Sequence, residues 1–298
     1  MTQSLTLPLA LRGERREVDG HAGRLSFYWS APAADAIPLL LVHSVNAAGS
    51  AYEVLPLYDH YRIKRPVYAL ELPGFGFSER SDRNYTPRLM TEAVHVMLTE
   101  IAIAHGERPI DVIAISLGCE FVARAASEAH DAFRSLGFIS PTGFNRSTPE
   151  EAPAGATRGM PIFHKALSLI GRSFFDVLTT KPSIRYFLKK TWGSDDIDQG
   201  LADYDYLTAH QPGAQYAPYA FVSGFLFSKD IQTIYRSLKL PIWMVHGIRG
   251  DFTDYSKATL FKQRPNWTIQ SFLTGALPHF EILDQVVKSY DEFIDRLA

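Results

Sequence analysis

The feature that most constrains the fold is an alternation of strand-length apolar runs with helical patterns along most of the chain. Residues 37–43 (IPLLLVH) form a continuous aliphatic run bounded by turn residues. Comparable runs lie at residues 66–72, 110–115, 136–140, 240–246 and 267–272. Strands that are apolar on both faces are typical of parallel sheets with helices on both sides. The pattern therefore predicts an α/β fold with a mostly parallel central sheet.

Two helices can be predicted from the sequence, one between strands and one at the end of the chain. Thr86 is a suitable N-cap for a helix over Pro87–His105, Pro87 suits the first turn, and Gly106 can end it. Apolar residues at helical spacing give this segment one face for the core. A second amphipathic helix is predicted to close the chain over residues 280–297.

The alternation breaks between residues 141 and 237. This segment is rich in Phe, Tyr, Pro and Gly and holds helical pieces without a convincing strand. We interpret it as a mainly helical cap inserted into the sheet domain. The predicted core then consists of residues 1–140 and 238–298.

Charge and cysteine content exclude several classes of partner. Thirty Lys and Arg against 32 Asp and Glu give a net charge of −2, so the chain lacks the basic field that drives nucleic-acid binding. The single cysteine, Cys119, allows neither an internal disulfide nor a cysteine cage for zinc, which fits a reducing compartment. No group of His, Cys, Asp and Glu has metal-ligand spacing, so neither metal nor cofactor is expected.

The sequence also contains no stretch near the roughly 18 apolar residues that cross a bilayer. Near the N-terminus the basic residues follow a short apolar run, which is the reverse of the order in a secretory signal. We therefore expect a cytoplasmic protein without a transmembrane segment. Its oligomeric state stays open.

The best nucleophile candidate is Ser116. The predicted strand at 110–115 runs directly into it, and a helical pattern begins immediately afterwards. A serine at such a turn projects above the sheet, and the residues two before and two after must be small; Ala114 and Gly118 are. Ser127 matches the same five-residue pattern but lies within a helix, where it could not be presented. The alternative role for Ser116 is a helix cap.

Two downstream loops offer the partners that a serine nucleophile needs, a base and an acid that holds the base. Asp251 and Asp254 follow the predicted strand at 240–246, and His279 follows the last strand. We prefer Asp251 because it lies nearer the strand end. The order Ser116, Asp251, His279 matches the Ser, acid, His order of one architecture. The alternative for His279 is a surface histidine.

With these loops in place, the chain resembles the α/β-hydrolase family, in the branch that carries a His-Gly-x oxyanion loop. The match includes the loop at His43, residues 72–78 (LPGFGFS), and the loops of the three candidate catalytic residues. It covers nearly all of residues 15–298. Acyl chemistry needs N–H donors for the oxyanion, and the residue after the nucleophile, Leu117, is one. The resemblance implies that Val45 supplies the other.

The oxyanion loop departs from the family pattern. Ser44 stands where the family usually has Gly, so the loop backbone is expected to differ. Asn46 adds a side-chain donor to the loop, and the resemblance makes His43 a structural or pocket-lining residue. We therefore predict that His43, Ser44 and Asn46 contact the substrate.

The predicted cap gives the remaining information about the substrate. Its aromatic residues favour an apolar acyl or aryl group, although most of them are expected to pack the cap's own core. The first half of the cap also has a basic excess: Lys165, Arg172, Lys181, Arg185, Lys189 and Lys190. We interpret this as a solvated face, with a carboxylated substrate or a membrane-surface contact as alternatives.

The sequence thus predicts a serine hydrolase that cleaves a carboxylic ester or related acyl compound. The same three residues are also compatible with carbon–carbon bond hydrolysis, elimination or perhydrolysis, which the resembled family includes. A small-molecule receptor without turnover is the non-enzymatic alternative.

Overall fold

A computed structural model describes residues 6–32 and 35–297, and the described part contains one eight-stranded sheet. The strand order is β1-β2-β4-β3-β5-β6-β7-β8. The strands are β1 (Glu14–Gly20), β2 (Gly23–Ser30), β3 (Leu39–Val42), β4 (Val67–Glu71), β5 (Ile110–Ile115), β6 (Phe133–Ile139), β7 (Ile242–Gly247) and β8 (Trp267–Phe272).

Strand pairing confirms the mostly parallel sheet. β2 pairs antiparallel with β1 and with β4, and every pair from β4 to β8 is parallel. The hairpin of β1 and β2 was not predicted from the sequence. β1 (ERREVDG) is an edge strand with mostly charged, exposed residues, so it lacks the apolar run by which the buried strands were recognised.

Helices cover both faces of the sheet, as predicted. The described residues contain the helices α1 (Leu55–Tyr61), α2 (Pro87–His105), α3 (Gly118–Glu128), α4 (Pro161–Ile170), α5 (Arg172–Leu178), α6 (Lys181–Trp192), α7 (Gln199–Ala209), α8 (Tyr216–Val222), α9 (Ile231–Ser237), α10 (Pro278–Glu281) and α11 (Leu283–Asp295). The core cluster on one face takes side chains from α2, α3 and α9, and the cluster on the other takes them from α1 and α11.

The predicted helix ends agree with the structure at α2 and differ at the C-terminus. The Thr86 hydroxyl accepts a hydrogen bond from Leu89 N at 3.2 Å, and Gly106 ends the helix with φ 81°. The closing helix is interrupted at Ile282, which leaves the helical conformation at φ −140° and ψ 50°. The interruption separates α10 from α11 and leaves Glu281 free to bond back to Gly275 N at 2.7 Å.

Most of residues 141–237 is helical, and three of its helices reach the loops at the carboxyl edge of the sheet. The end of α6 packs on the loops after β7 and β8, α7 packs on the loop after β3, and α8 packs on the turn after β4. α9 lies in the same sequence segment, but Ile231 and Tyr235 belong to the core beneath the sheet. The cap boundaries remain a prediction.

No helix in the described part of the chain is long and apolar enough to cross a membrane. Within the same residues, no group of three or more His, Cys, Asp or Glu side chains could hold a metal ion.

Candidate active site

Ser116 lies in the tight turn between β5 and α3, in a backbone conformation that non-glycine residues rarely adopt. Its φ is 51°, in the left-handed region, and its N–H donates to Ile139 O on the neighbouring strand at 2.8 Å. The side chain is partly accessible, and its hydroxyl has no hydrogen-bond partner among the described residues. Because the strained turn holds this hydroxyl out of the helix, Ser116 is presented rather than used as a cap.

The turn lies directly against the loop that follows β3. A Cβ on Gly118 would stand 2.5 Å from the His43 carbonyl oxygen, so only glycine permits this approach. The amides of Leu117 and Val45 are on these two segments, and both residues are buried. Neither amide donates to another group in residues 6–32 and 35–297. Two buried N–H groups without a partner next to a presented hydroxyl form a candidate oxyanion hole.

A buried carboxylate holds the oxyanion loop in shape. Glu53, in a short 3-10 helix (Ala51–Val54), accepts from Ser44 N at 2.7 Å and from the Asn46 side-chain amide at 2.6 Å. The Asn46 amide also donates to the Ser44 hydroxyl at 3.2 Å and accepts from Ala48 N at 2.7 Å. The hydroxyl of Ser44, which stands where the family usually has glycine, is therefore accommodated by its bond from the Asn46 amide.

These bonds give the three predicted substrate-contacting residues internal partners. His43 is fully buried; Leu72 N donates to its Nε2 at 3.0 Å, so Nδ1 carries the proton and donates to Ser44 O. Burial lowers the pKa of His43 to about 4, against the opposing effect of the Ser44 bond. Both N–H groups of the Asn46 amide are used within the loop. The structure thus gives His43 and Asn46 a part in the loop's own geometry, and substrate contact by these residues stays a prediction.

His279 lies at the start of α10 and is joined to the same loop. It is fully buried, and its Nε2–H donates to the Glu53 carbonyl oxygen at 2.8 Å. In the neutral ring Nδ1 is then the unprotonated nitrogen, and it has no hydrogen-bond partner among the described residues. Burial lowers the pKa of His279 to about 4, against the opposing effect of the Glu53 bond. A chain of contacts therefore connects Ser116 with His279 through the oxyanion loop and Glu53.

Asp251 lies on the predicted loop after β7, but its carboxylate faces a cap lysine. The side chain is 57% exposed and its Oδ2 is 3.5 Å from Lys190 Nζ, while its N–H donates to Lys190 O at 3.1 Å. No hydrogen bond joins Asp251 to His279 within the described residues. The second candidate acid, Asp254, accepts from Arg146 N and Ser256 N at 3.0 and 3.1 Å. The structure thus packs the Ser116 turn against the loop that bears Val45 and bonds His279 to Glu53, which holds that loop, while both acids lie outside these contacts.

The end of α6 contacts both the acid loop and the histidine loop. Gly275, before His279, lies so close to Trp192 that a Cβ would collide with its backbone. Arg249, before Asp251, donates to Trp192 O at 3.0 Å and forms an ion pair with Glu281. Since Trp192 ends α6, this cap helix is bonded to both loops. The two loops also bond to each other, since Ile248 N and Arg249 N donate to Thr274 O at 3.1 and 3.0 Å.

Sequence reasoning missed two buried acids beside the site. Glu53 follows the oxyanion loop, and the signal for it was the pair of polar residues Ser44 and Asn46, which need an acceptor when buried. Asp205, on α7, is buried with no partner for Oδ1 among the described residues. Burial raises the pKa of both carboxyls, and the neighbouring Glu53 raises that of Asp205 further.

Comparison with solved structures places this geometry among similar folds. A probable hydrolytic enzyme from Pseudomonas aeruginosa has a TM-score of 0.76 at 16% identity, with 95% of each chain covered. A meta-cleavage product hydrolase variant from Pseudomonas fluorescens has a TM-score of 0.70 at 15% identity, covering 95% of this chain and 98% of the other. A thermophilic esterase from Thermogutta terrifontis has a TM-score of 0.69 at 13% identity, covering 96% and 99%. At these identities the likeness shows the fold.

A search of curated proteins found no match. The model of the alpha/beta hydrolase family matches residues 39–281, which include the oxyanion loop, the nucleophile turn and the loops of Asp251 and His279. This match spans most of the chain. The chain belongs to the alpha/beta hydrolase family.

Proposed function

We propose that the protein is a serine hydrolase that cleaves a carboxylic ester or related acyl compound with an apolar part. The observation that carries this proposal is the strained Ser116 turn at φ 51°, with one buried, unpaired amide on the turn and another on the loop packed against it. Hydrogen-bond donors fixed in advance stabilise developing negative charge without reorganising during the reaction. A binding protein has no need of that combination.

In the proposed reaction the Ser116 hydroxyl attacks the substrate carbonyl carbon while His279 takes the hydroxyl proton. The carbonyl oxygen gains the negative charge and accepts hydrogen bonds from the N–H groups of Val45 and Leu117. Collapse of this intermediate breaks the ester bond, and His279 returns the proton to the leaving alcohol. Water then attacks the acyl group on Ser116 by the same route and releases the acid.

His279 needs a carboxylate for this task. With Nε2–H bonded to Glu53 O and a pKa lowered to about 4, the ring is a weak base near neutral pH. A carboxylate at Nδ1 would hold the proton there, free Nε2 as the base and raise the pKa of the ring. We assign this role to Asp251. Its partner in this structure, Lys190, forms a half-exposed ion pair of a kind worth about 0–1 kcal/mol, so exchanging it costs little.

The apolar part of the substrate is supported by the cap helices that reach the carboxyl edge. Trp192 at the end of α6 packs edge-on against Phe280, next to His279, with ring centroids 5.9 Å apart. Tyr204 on α7 stacks on Tyr52 beyond the oxyanion loop at 5.0 Å. Aromatic side chains on two sides of the site favour an acyl or aryl group over a charged one.

Labelling with a fluorophosphonate probe followed by peptide mapping tests the proposal. We expect an adduct on Ser116 in the wild type and its loss in His279→Ala, because the probe reports an activated serine. Hydrolysis of a short aryl ester should be lost in parallel. Folded protein that neither accepts the probe nor hydrolyses any ester of a chain-length panel would contradict the proposal.

Carbon–carbon bond hydrolysis is the second candidate. The fold likeness to the meta-cleavage product hydrolase favours it, and Ser44 makes this oxyanion loop unlike the family pattern. Cleavage of a β-diketone by protein that leaves the ester panel intact would select this reaction. Cleavage of esters with no turnover of the diketone would exclude it.

A further inference from the structure

The first half of the cap carries an unusual amount of apolar surface. Nine of the seventeen large hydrophobic side chains found exposed in the described residues lie within its first three helices and the residue before them. We call these nine the cap surface: Met160, Ile162, Phe163, Leu169, Ile170, Phe174, Val177, Tyr186 and Phe187. Scattered exposed apolar residues are normal, but a concentration of this kind marks a surface that another body covers.

Helix α4 shows the feature most clearly. Its sequence is PIFHKALSLI, and Leu167 is its one buried side chain. Ile162 is 88% and Leu169 is 78% exposed. The helix is held to the rest of the cap by Leu167 and by His164, whose Nδ1 is 2.9 Å from the Ser223 hydroxyl. An apolar helix anchored along one side and otherwise exposed is typical of a helix that lies in an interface.

The same three helices are strongly basic. Residues 161–192 contain six Lys and Arg and one acid, Asp176, so they carry a net charge of +5 within a chain of net charge −2. The rest of the chain therefore has a net charge of −7. Arg172, Lys189 and Lys190 pair with Asp176, Asp195 and Asp251. The cations of the segment without an ion pair among the described residues are Lys165, Lys181 and Arg185, which lie on the same three helices as the apolar side chains. A surface that is both apolar and cationic complements an anionic lipid headgroup layer over an acyl layer.

We propose that the cap surface docks onto an anionic phospholipid bilayer. The apolar side chains enter the boundary between headgroups and acyl chains, and the Lys and Arg side chains stay among the phosphates. A second copy of this chain is a poorer occupant, because a two-fold contact would place the same cationic surface against itself. The proposal is independent of the reaction assigned to Ser116.

Co-sedimentation of the purified full chain with vesicles tests it. We expect binding to vesicles of mixed phosphatidylcholine and phosphatidylglycerol, and weaker binding to phosphatidylcholine alone. Ile162→Ser with Leu169→Ser should lower partitioning by at least about tenfold, because two apolar side chains no longer enter the bilayer. Lys165→Glu and Lys181→Glu each change the charge by two units and should each lower it by about tenfold or more, an effect that salt diminishes.

Matched variants elsewhere on the surface serve as controls. Ile103→Ser on α2, where Ile103 is 76% exposed, and Lys288→Glu on α11 should bind as the wild type does. Thermal melting and far-UV circular dichroism verify that each variant is folded. The proposal is overturned if the wild type ignores the mixed vesicles, or if the double variant binds them like wild type. It is equally overturned if light scattering shows a dimer that the double variant converts to monomer.

Discussion

The nucleophile side and the acid side of the site are built differently. On the nucleophile side, the backbone of Ser116, Leu117 and Val45 lies at strand ends. It is held by the close approach of Gly118 to the His43 carbonyl and by the buried carboxylate of Glu53. On the acid side, Asp251 is 57% exposed, and its loop is bonded to the cap at Lys190. The first arrangement depends on the core, whereas the second depends on where a cap helix lies.

This difference shows which part of the site is held in place by the core before substrate binds. Oxyanion donors must be in place before the charge develops, and packing within the core holds them without help from the substrate. In the proposed reaction the acid acts through His279, whose Nε2–H is bonded to Glu53 O and whose Nδ1 has no partner among the described residues. We infer that the position of α6 couples the cap to the supply of the acid.

The largest effect should come from the nucleophile. Ser116→Ala should reduce kcat for an ester substrate by at least about ten-thousand-fold, because no other hydroxyl is presented there. Ser127→Ala is the matched control, since Ser127 has the same small neighbours but lies exposed on α3. Steady-state kinetics on both variants decide the matter. Equal activities would remove Ser116 from the reaction.

The next prediction distinguishes the two acids of the loop after β7. Asp251→Asn should reduce kcat by about a thousandfold or more, because the ring would lose its orienting charge. Asp254→Asn should stay within about twofold, since Asp254 already accepts two backbone N–H groups away from His279. The pH dependence of kcat/KM is the readout. If both variants remain active, the Glu53 carbonyl orients His279 alone.

Replacing Glu53, whose carboxylate holds the oxyanion loop, should have an intermediate effect on activity. Glu53→Gln places an amide N–H against a donor, either Ser44 N or the Asn46 amide, so the loop must shift. We expect kcat to fall by about ten- to a hundredfold with a smaller change in KM, as for a weakened oxyanion hole. A change in KM alone would indicate that Glu53 shapes the substrate pocket instead.

The buried acid of the cap predicts a pH dependence of stability. Because the folded-state pKa of Asp205 is raised, the folded protein holds this proton more tightly than the unfolded chain. Its contribution to the free energy of unfolding is fully present below the unfolded-state pKa of about 4 and is lost as pH rises from there through the folded-state pKa. Asp205→Asn should therefore raise the free energy of unfolding at neutral pH by about 1–2 kcal/mol.

Urea denaturation at acidic and neutral pH measures this effect. Asp203→Asn is the control, because Asp203 is exposed two residues earlier on α7. The wild type should lose stability with rising pH more steeply than Asp205→Asn does. A variant that is less stable than wild type at neutral pH would show that Asp205 bonds a partner in its ionised form.

The smallest effect concerns the cap lysine. Lys190→Met removes the ion pair of Asp251, so the carboxylate should reach His279 more readily and kcat/KM should rise by about two- to fivefold. Lys189→Met is the control, since its partner is Asp195. A loss of activity in Lys190→Met alone would mean that Lys190 positions Asp251 in the active arrangement.

Much of the fold was predictable because its signals are local. Apolar runs identified the six strands from β3 to β8, and Thr86 and Gly106 gave the ends of α2. The hairpin of β1 and β2 was missed because its edge strand is charged. The break at Ile282 was also missed, since it serves a bond between Glu281 and Gly275 that helical periodicity does not encode.

By itself, the sequence determined the central sheet, the turn that presents Ser116 and the loops that bear Val45, Asp251 and His279. These follow from the size and apolarity of neighbouring residues, which act within one strand or turn. Only the tertiary structure decided the partners: Glu53 for the oxyanion loop and His279, and Lys190 for Asp251. The Glu53–His279 and Lys190–Asp251 pairs join segments far apart in the chain, so the first depends on how two core loops meet and the second on how the cap packs on the sheet domain.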